Sequence, residues 1–458
     1  MEPTPPAFDP ISRRQFVQRT ALAAAAVAAL PQRTTAAPRR PGPGANLNLA
    51  FIGVGGRGAS NLAEVTPLAG VTVKALCDVD ARTLAQQAEK FPAAKTYRDF
   101  RVLLEREPEL HGVVISVPDH AHAVIAMAAI KRGVHVYCEK PLAHTIVEVR
   151  KLAAAARDAG VATQMGNQGM AFEGNRLINE WITDGAIGAV REVHVWSDRP
   201  TTRGKLPLKW PQGTERPTDT PPTPPELDWD LWLGPAPHRP YHPAWAKFKW
   251  RAWFDFGTGG LGDMGVHNLA PVFSALRLAA PVSVHASSTP VIGETYPLAS
   301  SIHYDFPARD GLPPVKVHWY DGGLLPARPD ELEDERALNP EDGILFVGDR
   351  GKMLVEGWGG RSPRLLPEAR MRAYHQPPKT LPRSVGHHQE WLEACRTGSA
   401  TRSHFDFGAV LTEALLLGLI SVRLGGIKLN WDSAAMRVTN HPAANALLHY
   451  DYRPGWSL

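Results

Sequence analysis

Residues 47–58 read Leu47-Asn48-Leu49-Ala50-Phe51-Ile52-Gly53-Val54-Gly55-Gly56-Arg57-Gly58. An apolar run of strand length ends in a Gly-x-Gly-x-x-Gly pattern, and a helix is expected to open near Arg57. Glycine at these positions permits a tight turn and lets backbone approach a pyrophosphate, whose charge is held at the helix N-terminus. A second strand is expected over 71–77, with Asp78 directly after it. A carboxylate at that distance from the glycines accepts hydrogen bonds from the adenosine ribose and repels a 2′-phosphate, so NAD is expected over NADP. Arg57 and Arg82 are the two cations that would soften this preference. Glycine turns are common, and the pattern alone would also suit a plain turn. The preceding strand, the following helix and the spaced acid decide for dinucleotide binding.

The alternation continues along the chain. Helices are expected at 80–90, 97–106, 121–132 and 146–159, and strands at 113–117, 134–138 and 161–165. Strands alternating with helices of this length imply a parallel, doubly wound sheet over residues 46–168, a Rossmann domain. Ligands of such sheets lie at the carboxyl ends of the strands. Ser116, Pro118, His122, Glu139, Lys140, Asn167 and Gln168 fall there, beside Asp119 and His120. With Gly53, Gly55, Gly56, Arg57, Gly58 and Asp78, the first seven are the candidate cofactor contacts.

From 169 to 458 the pattern changes to α+β. Strands at 190–197, 282–288, 302–306, 315–320, 344–347 and 352–356 alternate apolar with polar residues, as in a large, mainly antiparallel open sheet with one covered face. Helices are expected at 174–183, 388–396 and 407–423. An insert at 200–256 holds twelve prolines between 200 and 243, and six of the thirteen tryptophans between 210 and 253. These rings either line a carbohydrate site or pin the proline-rich loop to the body. The open sheet needs its outer face covered, so a homodimer or homotetramer is expected.

A chain of 458 residues suits two domains, and a hydrophobic fraction of 43% excludes wholesale disorder. Fifty basic against 46 acidic residues leave a net charge of +4, which gives no ground for nucleic acid or an anionic membrane as partner. Cys77, Cys138 and Cys395 form no CxxC motif, so neither a disulfide framework nor a thiolate zinc site is expected. The N-terminus carries Ser12-Arg13-Arg14-Gln15-Phe16-Val17, an apolar stretch at 21–30 and Thr35-Ala36-Ala37. This is the pattern of a twin-arginine export signal over 1–37, with 38–45 as a linker and a periplasmic or secreted product. A disordered basic tail and an uncleaved anchor are the alternatives. The stretch at 21–30 is too short to span a bilayer, and no membrane anchor is expected after processing.

Two constellations carry chemistry. Lys140, in Glu139-Lys140-Pro141, ends a strand where nicotinamide would sit, and is either a cleft ammonium that bonds a substrate oxygen or a solvated strand cap. Asp263 and His267 lie four apart in a helix expected over 259–276, so they share a face. There a carboxylate can orient an imidazole that takes a proton from a hydroxyl. The blander reading is a helix-terminal acid and a capped histidine. A metal at this pair would need a third neighbouring ligand, and no metal is expected.

Together, the glycine turn, Pro118-Asp119-His120-Ala121-His122, Glu139-Lys140-Pro141 and Gly260–His267 resemble the glucose-fructose oxidoreductase and inositol dehydrogenase family (Gfo/Idh/MocA), over about residues 46–430. The resemblance implies Lys140, Asp263 and His267 around a reacting carbinol, with a nicotinamide carrier. The signal, Gly166-Asn167-Gln168-Gly169, the tryptophan-rich insert and the C-terminal stretch from Asn440-His441-Pro442 to Trp456 resemble an exported bacterial branch. The expected activity is NAD-dependent oxidation of a secondary hydroxyl of a sugar or glycoside. The alternatives are a glycosidase or lyase working by transient oxidation and elimination, and an exported sugar-binding protein without catalysis.

Overall fold

The computed structural model describes residues 36–458, so nearly all of the expected export signal lies outside the described residues. The stretch 38–45 is not a free tether. Arg39 and Arg40 donate to the carbonyls of Leu110 and Gly160, which holds it against the first domain.

That domain contains β1 (Leu47–Ile52), β2 (Val71–Cys77), β3 (Lys95–Tyr97), β4 (Gly112–Ile115), β5 (His135–Glu139) and β6 (Thr163–Gly166). All pair in parallel, in the order β3-β2-β1-β4-β5-β6. Helices cover both faces of such a sheet, which is why β1 and β4 read as nearly continuous apolar runs. The helices are α1 (Arg57–Val65), α2 (Ala81–Ala88), α3 (Phe100–Arg106), α4 (His122–Lys131) and α5 (Ile146–Ala159). Local chemistry sets their ends. Asp80 and Asp99 cap α2 and α3, and α5 opens on a Thr145/Glu148 capping box and closes on left-handed Gly160. The expected helix at 97–106 is split, because Asp99 starts it late and Tyr97 pairs with Cys77 in the sheet. Cys77 and Cys138 sit on β2 and β5, separated by two strands, and all three thiols are free and buried.

The second domain is built on β7 (Val190–Ser197), β8 (Ser283–Ser288), β9 (Ser300–Phe306), β10 (Val315–Tyr320), β11 (Asp342–Gly348), β12 (Gly351–Glu356), β13 (Ser362–Leu366), β14 (Leu429–Asp432) and β15 (Arg437–Val438). The order is β13-β12-β11-β7-β10-β9-β8-β14-β15, antiparallel except for the β7–β10 pair. Its inner face, with Val193, Val195, Val317, Trp319, Ile302 and Val284, is buried. Over it lie α6 (Glu173–Thr183), α7 (Ala270–Leu276) and, after α8 (His387–Thr397), α9 (Phe405–Arg423), which also packs on α5. By length and composition α9 could cross a membrane, but it is a core helix, 83% buried.

The outer face differs from expectation. Around Trp196, Leu345, Leu354 and Leu366 it is covered by Leu332 and Leu338 of the chain's own 324–340 loop. The rest is polar and rich in histidine, so the apolar liability that argued for self-association is not there. Helix α8 returns to the first domain, where Trp391, Leu392 and Cys395 pack on Leu47, Leu49 and Phe51.

Five buried imidazoles have a consequence for stability. Burial lowers His120 and His135 to about 4, and His144, His267 and His387 to about 3. All are neutral in the folded chain at pH 7 but protonate in the unfolded chain below about 6.5. Their contribution is therefore fully present above that pH and is lost as pH falls toward the folded values, at up to about 1.4 kcal/mol per unit for each group. The urea midpoint is expected to drop steeply between pH 7 and 5, and a flat midpoint would contradict the neutral, buried assignment.

Candidate active site

Lys140 leaves the carboxyl end of β5 and reaches across to the second domain. Its Nζ donates to Asp263 Oδ1 and to the Asp263 carbonyl, both at 2.7 Å. Arg251 Nε donates to the same Oδ1 at 2.9 Å. The Lys140 and Asp263 side chains are 13% and 12% exposed. Burial raises the Asp263 carboxyl pKa, but Lys140 and Arg251 outweigh it and hold the group far below the usual carboxylate range. Arg251 is in turn fixed between the faces of Phe248 and Trp250, at 4.1 and 4.2 Å.

Asp263 does not orient His267. Residues Leu261–Gly265 form a π-helical turn, wider than an α-turn, and the four-residue spacing no longer stacks the two side chains. Gly262 makes the turn possible, since a Cβ there would stand 1.9 Å from Thr258 Oγ1. The carboxylate goes to the two cations instead. His267 is buried, edge-on to Trp358 with centroids 5.3 Å apart, and its Nδ1 has no partner among the described residues. Burial, then the charge of Lys140, lowers it to about 3 rather than leaving it near its ordinary value.

The glycine turn has the shape expected. A Cβ at Gly58 would stand 1.9 Å from the Gly53 carbonyl oxygen, while Gly56, at φ +48°, faces open space at the N-terminus of α1. Asp78 braces this turn, accepting from the amides of Val54 and Asp80, each at 2.9 Å. Asn167 is fully buried at the end of β6, and neither its amide nitrogen nor its oxygen has a partner among the described residues. An open glycine cradle, a carboxylate at the end of β2 and an unsatisfied amide at the end of β6 fit an extended dinucleotide laid across the sheet.

Several expected contacts are engaged within the scaffold. His122 has both ring nitrogens against carbonyls, those of Pro141 at 2.8 Å and Val117 at 2.9 Å, and ties two loops together. Glu139 Oε1 accepts from Arg57, Asn61 and Gln168, which locks α1 to β5. The Ser116 hydroxyl accepts from Asn61. Arg57 therefore points to Glu139 and Glu64, away from Asp78, and Arg82 lies 3.8 Å from Asp80 and 3.9 Å from Glu226. Pro118 caps the short turn 119–121. With both arginines paired to carboxylates, NADP is expected to bind at least about ten-fold more weakly than NAD. Equal affinity by fluorescence titration would overturn the placing of Asp78.

The tryptophans are a small core. Trp229 stacks on Trp232, Trp245 meets Trp253 edge-on, and the indole nitrogens of Trp229, Trp245 and Trp253 donate to backbone carbonyls within the insert. All but Trp250 are buried. Sequence reasoning missed Arg251, Trp358 and His388. His387 and His388 gave no sign of burial, yet His388 stacks on Tyr137 and bonds Asn61 behind the glycine turn.

A Rossmann domain with this turn, whose Lys140 meets Asp263 of an α/β domain with His267 beside it, defines a two-domain protein of the NAD-binding oxidoreductase class. A profile described as "Oxidoreductase family, NAD-binding Rossmann fold" matches residues 47–167, and one described as "Oxidoreductase family, C-terminal alpha/beta domain" matches 200–306. The chain belongs to the Gfo/Idh/MocA family. It is similar to levoglucosan dehydrogenase of Pseudarthrobacter phenanthrenivorans, 30% identical over 178 residues, 36% of this chain and 44% of that protein. It is also similar to glycosyl hydrolase family 109 protein 2 of Akkermansia muciniphila, 32% identical over 31% of this chain and 37% of that one. The chain thus spans less than half the length of these curated relatives. The solved structure of levoglucosan dehydrogenase with NADH and levoglucosan shares the fold, with a TM-score of 0.54 and 18% identity over 84% of this chain and 99% of that one.

Proposed function

We propose that the chain is an NAD-dependent dehydrogenase acting on a secondary hydroxyl of a sugar or glycoside. The observation that carries this is the Lys140–Asp263–Arg251 cluster, with a neutral His267 beside it, at the carboxyl edge of the Rossmann sheet. NAD, when bound, supplies the hydride acceptor. The Gly53–Gly58 turn would hold its pyrophosphate, Asp78 its ribose and Asn167 its nicotinamide end. Lys140, held by Asp263, donates a hydrogen bond to the substrate oxygen and stabilises the developing alkoxide. His267, uncharged at pH 7, would take the hydroxyl proton where the developing alkoxide raises its lowered pKa, and Lys140 is the alternative base. Trp358, beside His267, offers the aromatic wall for a sugar ring that the buried insert tryptophans do not.

The likeness to levoglucosan dehydrogenase supports a sugar substrate. The likeness to a family 109 hydrolase favours, as second reading, cleavage through transient oxidation. Export by the Arg13-Arg14 signal belongs to the same reading, as does self-association, which rests on the family resemblance alone now that the sheet's outer face is covered or polar. The test is the purified chain with NAD and a panel of free sugars and glycosides, following reduced nicotinamide absorbance and product mass. Ketone with NADH supports the dehydrogenase. Aglycone release without net NADH supports the second reading. Sugar binding with neither leaves a non-catalytic sugar-binding protein.

A further inference from the structure

On the outer face of the second sheet, four histidines stand in direct register on four adjacent strands. His194 of β7 lies opposite His318 of β10, His318 opposite His303 of β9, and His303 opposite His285 of β8. Glu192 precedes His194 by two residues and so shares its face. The rings of His194 and His318 stack, with centroids 5.0 Å apart.

Three donor atoms converge here. Glu192 Oε1 lies 2.7 Å from His318 Nε2 and 3.5 Å from His194 Nε2. Ligand atoms around a tetrahedral zinc ion, each about 2.0–2.1 Å from it, stand about 3.3 Å apart, and the two observed spacings bracket that value. His318 Nε2 is buried and makes no aligned hydrogen bond, although the carboxylate oxygen is close. Ligand atoms of one ion likewise stand close to one another without a hydrogen bond between them.

The far side of each ring is already held. His194 Nδ1 lies 3.1 Å from the Tyr320 hydroxyl. His318 Nδ1 is bonded to His303 Nδ1, and His303 Nε2 lies 3.1 Å from Ser301 Oγ. An Nδ1–H donated outward fixes the tautomer that leaves Nε2 free to bind a metal, and such outer partners orient ligand imidazoles. Lys316 stands opposite Glu192 in register and Lys352 nearby pairs with Glu331, so no cation bonds the carboxylate directly among the described residues.

We propose that Glu192, His194 and His318 bind a divalent first-row transition ion of the zinc type, with Tyr320 and His303 as positioning residues and a coordination position left open to solvent. Two imidazoles and one carboxylate suit zinc and exclude calcium or magnesium, which take oxygen ligands. The site is on the face opposite the helices and separate from the Lys140 cluster, so its occupancy is independent of the proposed oxidation.

The test uses the full chain, stripped by chelator and dialysed into metal-free buffer. Titration with Zn²⁺ alone, by calorimetry and metal analysis, is expected to show one tight equivalent per chain. His318→Gln and His194→Gln should each weaken binding by at least about ten-fold, the scale seen even for outer partners of a metal site. Glu192→Gln should do the same, and it changes a half-exposed side chain that the fold does not need. His285→Gln, in the same row but away from Glu192, should bind as the parent does. No Zn²⁺ retained at micromolar concentration, or unchanged affinity in Glu192→Gln, would overturn the proposal.

Discussion

Lys140→Met is expected to lower turnover by on the order of 10³-fold, through loss of alkoxide stabilisation and of the positioned ammonium. Methionine keeps the apolar stem, and Arg251 still neutralises Asp263, so the fold should survive. Lys140→Arg should not restore activity. A planar guanidinium cannot place one donor on both the carboxylate and the carbonyl of Asp263 while offering another to the substrate. NAD affinity should change little in Lys140→Met, because the cradle and Asp78 are untouched. Turnover within a few-fold of the parent on the best substrate would show that Lys140 is a structural cap.

Asp263→Ala is expected to damage both fold and activity. It leaves Lys140 and Arg251 as unpaired cations in a site that is barely exposed, and breaking a buried pair from one side costs about 3–5 kcal/mol. The sign of the pH dependence follows from the depressed carboxyl. Its stabilisation is fully present above the unfolded value of about 3.9 and is lost only as pH falls toward the folded one. The stability gap between parent and variant should therefore be constant from pH 8 to 5 and narrow only below about 4. Asp263→Asn separates shape from charge. It should recover part of the stability but not the turnover, since an amide cannot hold the ammonium as a carboxylate does. A parent-like midpoint for Asp263→Ala at pH 7 would contradict the buried ion cluster.

The Rossmann half was legible because its signals are local. The glycine turn, the capping residues of α2, α3 and α5, and uninterrupted apolar strands each report on their own neighbourhood. The choice of Lys140, Asp263 and His267 rested on family resemblance, and the structure brings the first two into contact. The error lay in assuming a regular α-turn between Asp263 and His267. Glycines at 262 and 265 allow a wider one, and no periodicity argument distinguishes the two. Arg251 and Trp358 were invisible for a different reason. Arg251 comes from a short helical turn twelve residues upstream and Trp358 from a loop far along the chain, and only tertiary structure puts Arg251 on Asp263 and Trp358 on His267. The same limit applies to the histidine row, whose members alternate innocently along four separate strands and meet only through register.

The central claim is hydride transfer from a carbinol carbon to NAD at the Lys140 cluster. The most direct measurement is the mass of the cofactor after incubating the chain and NAD with sugars deuterated at carbon. Reduced cofactor one deuterium-for-hydrogen exchange heavier than NADH is expected with at least one sugar, and no such product with Lys140→Met. Unlabelled cofactor with every sugar that binds would contradict it.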